Sequence, residues 1–267
     1  MFNKIIWPIL SFTSIALVII FILGFFFSVN IDKGPQKDSI DITKKEGPFL
    51  DTNDKSTEDE VDNLNIVILG DSIGFGIGDK SNKGIGLRYK ELISKEESKN
   101  IKISNFSVPG HESIDLLNLM ETSPNDSIIS KADIIIISIG GNDLNHMEYE
   151  NALSLDVNFK EILKSYKSNL QNVINQIREI NKEGQLAIIG LYDPYPQEET
   201  QKTRLILQWN YETALIANLN YKIAYIPTYE LFKYHLDSYL SPDEFHPSDS
   251  GYQAISESLY DILNDNY

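Results

Sequence analysis

Residues 65–76 read NIVILGDSIGFG: four aliphatic residues, Ile66 to Leu69, run directly into Gly70, Asp71 and Ser72 and then into two more glycines. A short apolar run dense in β-branched residues fits a strand buried on both faces, and a serine flanked by glycines fits a sharp turn at its carboxyl end. Four similar runs follow, at Ile101–Phe106, Asp133–Ile139 (DIIIISI), Gln185–Leu191 (QLAIIGL) and Lys222–Pro227. Helical patterns separate them. The clearest runs from Phe159 through Tyr166 and Leu170 to Ile180 in steps of three and four, and a last helix is expected over roughly Ser248–Leu263. Strands alternating with helices predict an α/β domain with a parallel sheet covered on both sides, and such sheets place their sites beyond the carboxyl ends of the strands.

Upstream of this domain, expected to span 64–267, lie two stretches of different character. Ile5–Val29 runs for 25 positions without a charge. That is long enough to cross a hydrocarbon core of about 30 Å, and too long for the apolar run of a cleaved signal peptide. Residues 1–29 are therefore expected to form a transmembrane anchor. Residues 30–63 carry ten acidic and five basic residues with few bulky apolar ones, the composition of a disordered acidic linker. Lysines follow the span more densely than they precede it, so the charge rule does not itself favour an outside domain. The usual bacterial arrangement of such anchors does favour a cell-membrane protein with an extracytoplasmic domain. The net charge of −16, from 39 acidic and 23 basic residues, argues against nucleic acid as a partner, and the absence of cysteine excludes disulfides, thiolate metal sites and a cysteine nucleophile.

Chemistry-bearing residues fall where the strands end. Ser72 follows the first strand as a possible nucleophile. Asn105–Gly110 follows the second and leaves Gly110 in a loop, where a backbone N–H can approach a substrate. Gly140-Gly141-Asn142-Asp143 follows the third, with Asn142 able to aim an amide at a developing oxyanion. Before the last helix, Asp243-Glu244-Phe245-His246-Pro247 lets one turn carry a base, His246, and the carboxylate that orients it, Asp243. Each segment alone has a plainer use: Gly70-Asp71-Ser72 suits a capped strand-to-helix turn, Asn142 an Asx turn, His246 a solvated loop.

Together the four segments resemble the four blocks of the SGNH hydrolases, the GDSL esterases and lipases, with Ser72, Gly110, Asn142 and His246 in the family's order across 64–267. Within that family the chain is most similar to bacterial acylhydrolases of the thioesterase I and lysophospholipase type, particularly those on a single amino-terminal anchor. The resemblance implies a three-layer α/β/α, flavodoxin-like fold with a five-stranded parallel sheet of order 2-1-3-4-5. It implies Ser72 as nucleophile, His246 as base and Asp243 as its orienting acid. An oxyanion hole is implied from the Ser72 and Gly110 N–H groups and the Asn142 side chain.

Two other motifs compete for the same residues. Gly70–Gly74 satisfies G-x-S-x-G, but the elbow of α/β-hydrolases follows several strands and only one precedes Ser72. Residues 74–81 approach a P-loop, but Asp79 would face the phosphate. No cofactor or catalytic metal is indicated, and no obligate protein partner. The expected activity is hydrolysis of a lipid or other acyl ester, with an O-acetyl ester of a cell-wall or secreted polysaccharide as the alternative and a retired binding protein as a third, weaker one. Residues 145–156 and 192–203, with Tyr149, Tyr192 and Tyr195, are the expected pocket walls.

Overall fold

A computed structural model of the chain describes residues 49–50, 63–95, 100–122, 125–147, 151–195 and 200–264. The span at Ile5–Val29, most of the linker and Tyr149 lie outside the described residues. Among the described residues no helix is long and apolar enough to cross a membrane.

Five parallel strands form the sheet: β2 (Asn63–Gly70), β3 (Asn100–Asn105), β4 (Ile134–Ser138), β5 (Gln185–Ile189) and β6 (Ile223–Ile226). Their spatial order is β3-β2-β4-β5-β6, the expected 2-1-3-4-5. A two-residue strand, β1 (Phe49–Leu50), pairs antiparallel with β3 and makes a sixth, edge member. It falls inside the stretch read as linker.

Alternation along each strand sorts the core into two layers. Val67, Leu69, Ile135, Ile137, Leu186 and Ile188 face one side, where they meet α3 (Ser113–Glu121), α6 (Ala152–Ile180) and α7 (Thr200–Leu219). Ile66, Ile68, Ile136, Ala187 and Ile189 face the other, against α2 (Gly84–Ile93) and α10 (Asp249–Asn264). The apolar stripe of α6 therefore packs as its spacing predicts, with Phe159, Tyr166, Leu170 and Ile177 buried. The central strands β2, β4 and β5 are buried on both faces along most of their length.

At the carboxyl end of β2 the chain turns within one residue. Gly70 has φ +144, and a Cβ there would lie 1.9 Å from the Ser138 carbonyl oxygen of β4, so only glycine lets the strand finish this close to its neighbour. Asp71 then adopts an extended conformation, donates its N–H to the Ser138 carbonyl at 2.9 Å, and caps the one-turn helix α1 (Ser72–Phe75) by accepting from the Ile73 N–H. Ser72 is the first residue of that turn.

Candidate active site

His246 reaches Ser72 from the opposite end of the domain sequence. Its Nε2 lies 3.0 Å from Ser72 Oγ and its Nδ1 lies 2.7 Å from Asp243 Oδ2. The structure thus brings the three side chains singled out in the sequence into one hydrogen-bonded series. The loop of the expected base, His246, lies between α9 (Leu236–Tyr239) and α10, and Asp243 organises it: Oδ1 accepts from Ser241 Oγ at 2.7 Å and from the backbone N–H groups of Phe245 and His246. Partial burial pushes the Asp243 carboxyl up, but the bonds from Ser241, His246 and the two amides outweigh it and hold the group well below the usual carboxylate range. Ser241 is a contributor that the sequence reading missed. Its only signal was a hydroxyl two residues before the acid.

The chain around His246 is tightly seated. Glu244, next to the acid, has φ +57, an αL conformation that costs roughly 1–2 kcal/mol for a residue with a Cβ. Phe245 stands edge-on to the His246 ring, and its carbonyl accepts from the Tyr192 hydroxyl at 2.6 Å. Tyr192 is buried and stacks on Phe232 of α8 (Tyr229–Lys233). This tyrosine supports the base loop from beneath, instead of walling a substrate pocket.

The other expected wall segment also differs from its reading. Residues 152–156 belong to α6 and residues 200–203 to α7, so the loops are shorter than expected. Tyr195 lines a cleft of about 890 Å³ together with Lys80, Leu236, Ser241 and Glu244, on residues flanking the base loop. Ser72, Gly110, Asn142 and His246 are not among its lining residues.

Gly110 sits after β3 with φ +86, and nothing lies within 4 Å of a Cβ built on it, leaving open space beside its backbone. Its loop is fastened to the end of β2, because the Val108 N–H donates to the Gly70 carbonyl at 2.9 Å. Neither the Gly110 N–H nor the Ser72 N–H donates to another group among the described residues. Asn142 stands in the first turn of α5 (Gly141–Asn145), half-buried, and its amide donates to the His111 carbonyl at 2.8 Å. That bond uses one amide hydrogen and fixes which end of the side chain is the nitrogen; a second hydrogen remains.

Two further carboxylates border the site. Burial pushes Asp71 up to about 7, against the lowering bonds from the Ile73 and Gly74 N–H groups and the Ser138 hydroxyl. Asp79, which breaks the P-loop pattern, turns inward and accepts from the N–H groups of Ser81, Lys83 and Gly84 while pairing with the buried Arg88. Within the stretch that approaches a P-loop, the Ser81 N–H is thus taken by the chain's own Asp79 and the Lys80 N–H by Asp249.

Residues 68–254 match the model of the GDSL-like Lipase/Acylhydrolase family. The spore germination lipase LipC of Bacillus licheniformis is 30% identical over 203 residues, 73% of this chain and 94% of LipC. An uncharacterized Bacillus subtilis (strain 168) protein, YpmR, is 31% identical over 207 residues, 74% of this chain and 80% of YpmR. Among solved structures, the lipase Lip_vut3 from a goat rumen metagenome superposes with a TM-score of 0.65 at 28% identity, covering 74% of this chain and 97% of that one. Axe2, an acetylxylan esterase from Geobacillus stearothermophilus, shares the fold, with a TM-score of 0.59 at 19% identity over 76% of this chain and 95% of Axe2. With the family model covering most of the folded domain and a serine, histidine and carboxylate in contact at the sheet's carboxyl edge, the chain belongs to the GDSL-like lipase/acylhydrolase family of SGNH hydrolases and is a carboxylic ester hydrolase.

Proposed function

We propose that this ester hydrolase works by two-step acyl transfer through Ser72. His246 takes the Ser72 proton at Nε2, Oγ attacks the ester carbonyl, and the leaving alkoxide receives the proton back from His246. Water activated by the same ring then releases the acid. Asp243 keeps the Nδ1 proton in place and stabilises the charged ring. The observation that carries this reading is the 3.0 Å contact of His246 Nε2 with Ser72 Oγ, backed by Asp243 at 2.7 Å on the other ring nitrogen. The oxyanion is received by the Ser72 and Gly110 N–H groups and the remaining Asn142 amide hydrogen, and is stabilised most once the tetrahedral centre has formed.

The substrate is a lipid or other apolar acyl ester. Phe75, Val108 and Ile114 are 38–43% exposed, on or just beyond the segments that hold Ser72 and Gly110, and apolar side chains there favour a hydrocarbon chain over a sugar. The similarity to a spore germination lipase points the same way. The uncharged run Ile5–Val29 completes the reading: it holds the domain at the cell membrane, on the extracytoplasmic side, where lipid esters are concentrated.

Rates on p-nitrophenyl esters from acetyl to palmitoyl test the substrate class. The reading expects activity to rise beyond the acetyl ester. Activity confined to the acetyl ester, with release of acetate from an acetylated polysaccharide, would replace it by the O-acetyl esterase alternative.

A further inference from the structure

We propose that Asp143 is the positioning residue of the oxyanion hole, an inference that rests on the reading of Asn142 as an oxyanion donor. The loop carrying Gly110 and the turn carrying Asn142 come from different strands, and three ties join them. The Asn142 amide donates to the His111 carbonyl at 2.8 Å. His146 Nδ1 lies 2.5 Å from Glu112 Oε1. Ser113 closes on Asp143 with both of its donors, the N–H to Oδ2 at 2.9 Å and the hydroxyl to Oδ1. The ties are thus made by three consecutive residues of one segment, 111, 112 and 113.

They are unequal. The His146 and Glu112 side chains are 64% and 34% exposed, and a polar contact so open to water holds little. Asp143 and Ser113 are buried, at 9% and 1%, where a two-point bond to a carboxylate is strong and directional. Ser113 opens α3, so its N–H has no acceptor within the helix, and the carboxylate satisfies it while facing the positive end of the helix. The Ser113 hydroxyl also accepts from Asn169 Nδ2 on α6 at 3.0 Å, which orients its own hydrogen towards Asp143 and anchors the joint to a third element. Asp143 follows Asn142 directly in the short α5 turn, so fixing one carboxylate fixes where its neighbour's amide points. Burial pushes the Asp143 carboxyl up and the two Ser113 bonds oppose it.

The test uses the full chain in detergent, p-nitrophenyl butyrate as substrate, and fluorophosphonate titration to count competent Ser72. Asp143→Ala should lower kcat per titrated site by about tenfold or more with little change in KM, and Asp143→Asn, whose amide oxygen can still accept the Ser113 N–H while its NH2 donates to the Ser113 hydroxyl oxygen, should recover part of it. In an Asn142→Ala background, Asp143→Ala should cost much less than it does alone, because its effect passes through the missing amide. If Asp143→Ala does not fold, Ser113→Ala carries the same comparison, with Ser113→Thr as the rescue. Native turnover per titrated site in Asp143→Ala and Ser113→Ala, beside a crippled Asn142→Ala, would overturn the clamp and leave the reading of Asn142 standing. Native turnover in Asn142→Ala would overturn both.

Discussion

One carboxylate holds both the backbone and the ring of His246: Asp243 accepts the His246 N–H on Oδ1 at 2.9 Å and faces the His246 Nδ1 with Oδ2 at 2.7 Å. Position and orientation of the imidazole are held by the same three-residue turn.

Asp243→Asn cannot present acceptors to the backbone amides and to the ring at once. The fold should survive, since Asp243 is 45% exposed by side chain, while turnover on a soluble ester should fall roughly 10⁴-fold. Circular dichroism and kcat on the same sample check this; a variant keeping most of its rate would assign the orienting role elsewhere.

Gly78→Ala probes the floor under the base. Gly78 has φ +91, and a Cβ there would lie 2.5 Å from the Pro247 carbonyl oxygen and 2.9 Å from His246 Cβ. Both the conformation and the contact are unfavourable, so a loss of about 1–3 kcal/mol in the unfolding free energy from denaturant titration is expected, with a lowered kcat as His246 is displaced from Ser72. Unchanged stability and rate would mean that the base loop moves freely.

Asp71 makes stability depend on pH in the sense opposite to Asp243. Its folded value, about 7, lies above its ordinary 3.8, so between those values the folded state retains a proton that the unfolded state has lost. Stability from this group is complete below 3.8 and is lost as pH rises towards 7, by an amount on the order of a few kcal/mol. Asp71→Asn still caps α1 and carries no charge, so its melting temperature relative to the native chain should climb between pH 4 and pH 8. A constant difference would contradict the burial argument.

How much could be read beforehand follows from the range of each signal. The DIIIISI run and the α6 stripe announced themselves because burial acts on residues next to one another or one turn apart. Ser72, Asp243 and His246 were legible for a similar reason, a glycine-flanked turn and an i,i+3 pair. β1 was not, since two residues cannot display an alternation. The start of α7 was missed because exposed Leu207, Tyr211 and Leu215 share that helix with buried Leu205 and Trp209, leaving no single stripe. The joint between Ser113 and Asp143 spans 30 positions and carries no local pattern at all.

The central claim is that Ser72 is the nucleophile activated by His246. Mass spectrometry after reaction with a fluorophosphonate tests it most directly, run on the native chain, Ser72→Ala and His246→Ala. The account predicts one adduct per native chain, located on the peptide containing Ser72, none on Ser72→Ala, and labelling of His246→Ala slowed by orders of magnitude. An adduct on another residue, or a Ser72→Ala chain that still labels and turns over ester, would contradict it.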